Sequence, residues 1–338
     1  MRQTVLRDMV MDERTRYHKR MVDKEVIIAG AGGIIGQRLI EALRRRDDGD
    51  GAPRITALTR RADGHWPDGV TPFVWNPAAA RLGDAAALAA LAAKLDGAAA
   101  LVNLAGSSIA AGRLDAAHVA RVKGSRVDAA TTLLAAVRRA AAPPGVWLQA
   151  SGVGLYGDRG DELLTEASAP GDPARDVLVP TSLAWEAAAA PAADLTRLVT
   201  ARFGVVFDRE AEAWRKLLLP VRLFAGGPLG SGRQWLPWIS GRDTARALVW
   251  LIETPAAAGT FNLTAPEPAR QIDVTRTAAR ALRRPAWLPA PAFALRLALG
   301  NVADALLLSS QRVIPQRLLD AGFVFEDRTI EGTVAGLV

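Results

Sequence analysis

No cysteine occurs among the 338 residues, so disulfides and thiolate metal sites are excluded. Histidine is nearly as scarce. His18, His65 and His118 stand far apart, which argues against a histidine-built metal centre, and no metal is expected. Long apolar runs are also missing. The run from Ala85 to Val102 contains Lys94 and Asp96, and 287–308 is broken by Pro289, Pro291, Arg296 and Asp304. Neither reaches the roughly 20 uninterrupted apolar residues a membrane span needs. Residues 1–22 mix arginine with acids and lack the apolar core of a signal peptide. They read as a disordered or mis-assigned extension, and the cytoplasm is the expected compartment.

Positive charge is not lacking: the net charge is +7, carried mostly by arginine. The arginines are scattered, aromatics are few, and no zinc-finger or RNA-platform motif is present, so nucleic acid is not an expected partner. A positive cleft for a small anionic ligand fits better.

Half of the residues are hydrophobic, enough for a real core. Strand and helix patterns alternate. Lys24–Ala29 reads as a buried strand, Ile34–Arg46 as a helix, Asp47–Pro53 as a loop and Arg54–Leu58 as a second strand. Further strands are expected at Phe73–Trp75, Ala98–Leu104, Val146–Ala150 and Leu198–Val206, with helices at Ala85–Leu95, His118–Ala140 and around Trp185–Ala190. This alternation predicts an α/β fold, a Rossmann-type doubly wound parallel sheet. After about Pro266 short helices dominate (Ile272–Leu282, Ala292–Leu299, Val302–Leu308, Val313–Ala321). The expected organisation is a cofactor-binding domain over 23–265, including a substrate-cleft segment at 226–239, and a small helical lobe over 266–338.

Between the first strand and helix lies Gly30-Ala31-Gly32-Gly33-Ile34-Ile35-Gly36. Gly30 permits the tight turn, Gly33 lets backbone approach a pyrophosphate, and Gly36 permits close helix-on-sheet packing. The helix N-terminus then offers free N–H groups and a positive dipole to phosphate. The second strand ends Leu58-Thr59-Arg60-Arg61. An acid there would hold the ribose hydroxyls of NAD. Two arginines instead suit the 2′-phosphate of NADP, which is therefore the expected cofactor, with NAD second.

Several segments together resemble one family. Gly30-x-x-Gly33-x-x-Gly36 is similar to the cofactor loop of extended short-chain dehydrogenases/reductases. Asn103-Leu104-Ala105-Gly106 resembles the turn after their fourth strand, and Ser151–Glu166 their serine strand and following loop. Tyr156–Asp161, Gly226–Ile239 and Asn262–Pro268, with Pro289–Leu299 and Gln311–Phe323 in the tail, resemble the sugar-nucleotide-epimerase-like group called "epimerase family protein", which ends in a domain of unknown function. The resemblance spans about residues 24–330. It implies NADP bound at Gly30, Gly32–Gly36, Thr59, Arg60, Arg61 and Asn103–Gly106, with an epimerase-like substrate lobe. The loop reads AGAGGIIG where the family more usually has TGGTGFIG, and Ser240 stands where a histidine is common before Asp243.

The catalytic pair of such enzymes, a tyrosine four residues before a lysine, is missing. Met21 follows Tyr17 and Gly160 follows Tyr156 at that spacing. Leu178 and Ser182 fall where the pair would be, and neither can relay a proton as a lysine-activated phenol does. The substitutes expected are Ser151, as hydrogen-bond partner of a substrate oxygen, and Tyr156, with a neighbouring arginine stabilising its phenolate. In the alternative, Tyr156 packs beside the nicotinamide and 158–161 shapes a loop. For the substrate, Arg202, Arg233, Gln234, Trp235 and Trp238 offer guanidinium forks and flat apolar walls; the alternative for the tryptophans is simple core. Arg126 is read as much as an ion-pair member as a ligand, and Trp147, Trp250 and Trp287 as packing. The expected function is an NADP(H)-binding oxidoreductase or epimerase on a small polar substrate. The rival is an NADP(H)-binding regulatory or scaffold protein with little turnover.

Overall fold

The computed structural model describes residues 25–45, 52–61, 63–112 and 114–338. The expectations for residues 1–22 and most of the 47–53 loop lie outside them. Seven strands, β1 (Glu25–Ala29), β2 (Arg54–Thr59), β3 (Val70–Val74), β4 (Ala100–Asn103), β5 (Val146–Gly152), β6 (Arg197–Phe203) and β7 (Gly259–Leu263), form one sheet. Its spatial order is β7-β6-β5-β4-β1-β2-β3, and every pairing is parallel. The order reverses between β1 and β4, which opens a crevice at the carboxyl ends of those strands. β1, β4 and β5 are buried along almost their whole length because helices cover both faces.

The main helices, in chain order and leaving out the single turn Ala79–Leu82, are α1 (Ile34–Arg44), α2 (Ala85–Leu95), α3 (Ala116–Val137), α4 (Val179–Ala189) and α5 (Glu212–Arg222). There follow α6 (Gly241–Glu253), α7 (Gln271–Leu282), α8 (Ala292–Leu299), α9 (Gln316–Asp320) and α10 (Ile330–Ala335). α1 buries Gly36, Leu39, Ile40 and Leu43, the spacing of one helical stripe. With α6 it covers one face of the sheet, joined by Leu318, Phe323 and Phe325. α2, α3 and α4 cover the other.

The structure corrects several sequence expectations. The strand read over Leu198–Val206 breaks at Gly204, where a Cβ would stand 2.6 Å from the Pro237 carbonyl oxygen. The chain there leaves the main sheet, and Val205–Phe207 pairs instead with Trp238–Ser240. The helix expected over Val313–Ala321 is a short strand, Arg312–Val313, followed by α9, because Pro315 separates the two. α5, α6, α10 and β7 were not read from the sequence. Trp147 and Trp250 pack as expected, but Trp287 is 73% exposed.

Residues 266–338 spread over three places. α7 and α10 share a core with Phe207, Trp214 and Trp238. Phe323 and Phe325 enter the core beside α6. Arg312–Val313 pairs with Leu163–Leu164. Among the described residues no helix is long and apolar enough to cross a membrane, and no three acidic or histidine side chains could hold a metal ion.

Candidate functional site

The glycine turn leaves β1 at its carboxyl end. Gly30 has φ +82°, and a Cβ on it would stand 2.7 Å from the carbonyl of Leu104, so the turn is pressed against the end of β4. A Cβ on Gly36 would meet Ala31 backbone at 2.7 Å, which fixes α1 against the turn. Gly32 is open, with Trp66 Cη2 as its nearest neighbour at 3.9 Å. Gly33 is the N-cap of α1, no side chain caps the helix, and no acid lies in its first turn. The N–H groups around Ile34 and Ile35 therefore have no carboxylate to satisfy them among the described residues. This is a cradle suited to a pyrophosphate. The turn after β4 is built to match: Asn103 donates to Gln149 Oε1 at 2.9 Å and accepts from Ala105 N at 3.2 Å. Asn103 is completely buried, so it shapes the turn that presents Leu104, Ala105 and Gly106 and does not itself line the crevice.

At the end of β2 the two arginines differ. Arg61 is bound bidentately by Asp63 at 3.0 and 2.5 Å. Thr59 closes the local turn, accepting from Arg61 N at 3.2 Å. Arg60 is exposed, with no ion-pair partner among the described residues. Of the expected pair, Arg60 is the cation available to a phosphate.

From the end of β5 the polar side chains form a linked series. Ser151 donates to Glu186 Oε1 at 2.6 Å. Arg202 clamps both Glu186 oxygens at 2.8 and 2.9 Å, and its remaining arm donates to the Tyr156 hydroxyl at 2.9 Å. Tyr156 donates to Asn262 Oδ1 at 2.8 Å. Burial lowers the Arg202 guanidinium pKa, but the Glu186 bonds and the tyrosine oxygen raise it further, so it stays charged.

Tyr156 is the buried member of this series. Its side chain is fully enclosed with Val153, Leu155, Leu164 and Val313. Burial raises its hydroxyl above the usual phenol range, against the opposing pull of Arg202. It is a buried link between Arg202 and Asn262, and the arginine beside it is Arg202. The 158–161 loop is structural: Asp158 accepts from Ser310 N, and Gly160 O accepts from the Ser310 hydroxyl at 2.6 Å. Sequence reasoning missed the role of Glu186. The clue was present, since Leu178, Ser182 and Glu186 follow one another at four-residue steps along one helix face.

The 226–239 segment divides. Trp238 is 1% exposed and packs against Phe207, with its N–H on Glu267 O at 3.1 Å. Gln234 is buried and donates to Leu229 O and Leu307 O at 3.0 and 2.7 Å. Both side chains are engaged within the protein framework here. Trp235 is half-buried, sandwiched by Arg270 and Arg312 at 4.2 and 4.9 Å. Its N–H bonds Asp161 Oδ1 at 2.7 Å. Arg233 is exposed beside it. Arg202 belongs to the Ser151 series, so the structure does not gather the five expected substrate residues in one place. A groove of about 880 Å³ elsewhere, between Arg38, Arg45, Arg242, Arg246, Trp250 and Phe323, is lined by none of the glycine turn or Ser151 residues.

Residues 26–177 match the model of the NAD dependent epimerase/dehydratase family, and residues 290–337 a domain of unknown function (DUF1731). Epimerase family protein Mb2239 of Mycobacterium bovis is 35% identical over 311 residues, covering 92% of this chain and 96% of that one. Epimerase family protein YfhF of Bacillus subtilis is 34% identical over 218 residues, 64% of this chain and 71% of its own. Among solved structures, human epimerase family protein SDR39U1 with NADPH superimposes with a TM-score of 0.79 at 31% identity, covering 93% of this chain and 98% of that chain.

Proposed function

From the premise that the chain belongs to the epimerase family of atypical extended short-chain dehydrogenases/reductases, we propose that it binds NADP(H) and acts on a small polar substrate as an oxidoreductase or epimerase. The observation that carries this reading is the uncapped glycine turn pressed on Leu104, with Arg60, exposed and without an ion-pair partner among the described residues, at the end of β2. Gly32–Gly36 and Leu104–Gly106 would hold the pyrophosphate side, and Arg60 the 2′-phosphate. The NADPH in the human relative supports the choice of phosphate form. The cofactor, when bound, supplies hydride chemistry.

The chain's own residues supply the rest. Ser151 holds its hydrogen on Glu186 and keeps its lone pairs for a substrate hydroxyl. Glu186, clamped by Arg202, is the carboxylate placed to take a proton through Ser151 in place of the absent Tyr-x-x-x-Lys pair. Titration with NADPH and NADH, read by tryptophan fluorescence, tests the cofactor reading. NADPH is expected to bind more tightly, and Arg60→Ala to weaken it by about 10-fold or more, the worth of a lost charge-assisted bond. Arg61→Ala is expected to matter less. Absence of binding by either dinucleotide would overturn the proposal.

A further inference from the structure

Arg126 of α3 is 8% exposed. Two other enclosed guanidiniums have carboxylates: Arg202 has Glu186 and Arg38 has Asp208. Arg126 has none among the described residues. Its Nη1 donates to Ser107 O at 2.8 Å and Val122 O at 3.0 Å, which uses both hydrogens on that nitrogen. The Nε–Nη2 edge, the fork that matches a carboxylate or phosphate, has no protein acceptor among the described residues. Burial alone draws the pKa down to about 10, still charged at neutral pH. A buried cation without a counter-charge is costly unless something supplies one.

A second observation lies against it. The guanidinium stacks over Trp185 of α4, with Cζ 4.8 Å from the ring centroid. Trp185 is 92% enclosed, from its exposure of 8%, and its indole N–H is buried without a hydrogen-bond partner. A buried, unmet indole N–H thus lies beside a guanidinium edge that has no protein acceptor among the described residues. Gly106, the last residue of the β4 turn, makes room for them, since a Cβ there would stand 3.0 Å from Arg126 Cζ. Trp185 precedes Glu186, which holds the Ser151 hydrogen.

We propose that Arg126, seated against Gly106, and Trp185 form an anion subsite beside Ser151 that takes a carboxylate or phosphate group of the substrate. The substrate class is then a small anionic molecule, a hydroxy acid or a phosphate ester, rather than a neutral sugar. This rests on the reading of the crevice as a cofactor site. The phosphates of a dinucleotide already have the α1 N-terminus and Arg60, which leaves Arg126 for the substrate.

The test titrates inorganic phosphate and oxalate, against chloride at matched ionic strength, into wild type, Arg126→Gln and Trp185→Phe. Each is measured with and without saturating NADPH, and binding is read by calorimetry. Wild type is expected to bind a probe saturably, Arg126→Gln at least 10-fold more weakly, and Trp185→Phe, which deletes the indole N–H, several-fold more weakly. The NADPH affinity of all three is expected to agree within about twofold. Equal anion binding by wild type and variants, or no saturable binding by wild type, overturns the subsite. A 10-fold loss of NADPH affinity in a folded Arg126→Gln also overturns it, because the anion held is then the cofactor's. Where Arg126→Gln does not melt cooperatively, Trp185→Phe decides. Failure of wild type to bind NADPH sinks the cofactor reading separately, while the wild-type-to-variant comparison of anion binding still judges the subsite.

Discussion

Tyr156 and Ser151 show how far single residues could be read. That two polar residues stand at and just after the end of β5 was plain from the chain, but their partners come from α4, β6 and β7, at separations of 35 to 106 residues. No local pattern specifies such pairings. The structure turns Tyr156 inward, and a prediction follows. Tyr156→Phe removes a hydroxyl between Arg202 and Asn262 and leaves both a donor and an acceptor buried and unmet. It is expected to cost about 1–3 kcal/mol of stability, seen in denaturant melts, while NADPH affinity stays unchanged. Ser151→Ala is expected to do the reverse, with little loss of stability and loss of turnover once a substrate is found. Turnover abolished by Tyr156→Phe at unaltered stability would return the tyrosine to the chemistry.

Elements built from local signals were the legible ones. The glycine turn, α1, α2 and the strands β1, β2 and β5 follow from period, caps and glycine spacing, and they carry the proposed cofactor site. Hidden elements had mixed signals: α5 contains Pro220 inside it, and α6 starts directly from a strand at Ser240, leaving no loop to mark the boundary. Ser240 is the N-cap there, accepting from Asp243 N at 3.0 Å, so the residue that departs from the family's histidine has a structural task. Ser240→Ala is expected to lower stability by about 1 kcal/mol, as for other lost caps. At α1, Gly36→Val would drive a side chain into Ala31 backbone, where no flexible group can give way. The variant is expected to lose NADPH binding and to melt earlier. Normal binding by Gly36→Val would mean that the helix does not need its close approach to the turn.

At the scale of the whole molecule, the last stretch of chain is fastened across α6. Asp243, fully buried, accepts from Glu326 N and Asp327 N at 3.0 and 2.8 Å, and Asp327 in turn receives Arg242 at 2.5 and 3.0 Å. Those bonds join parts of the sequence more than 80 residues apart, which is why a helical tail could be read from the sequence but its seat on the sheet could not. Burial pushes the Asp327 carboxyl up, yet Arg242 outweighs it and holds the pKa below the usual value. A carboxylate depressed in the folded state binds fewer protons there than when unfolded. Its stabilisation is therefore complete above the ordinary carboxylate pKa near about 4 and is lost as pH falls through the lower folded value. Asp327→Asn is expected to lower Tm by roughly 1–3 °C at pH 7, the scale for a part-exposed pair in a chain this long. The gap between variant and wild type is expected to close as the melt is repeated below about pH 4. A gap that persists or widens in acid would show that the Asp327 carboxylate does not fasten the tail, and that its backbone bonds to Asp243 suffice.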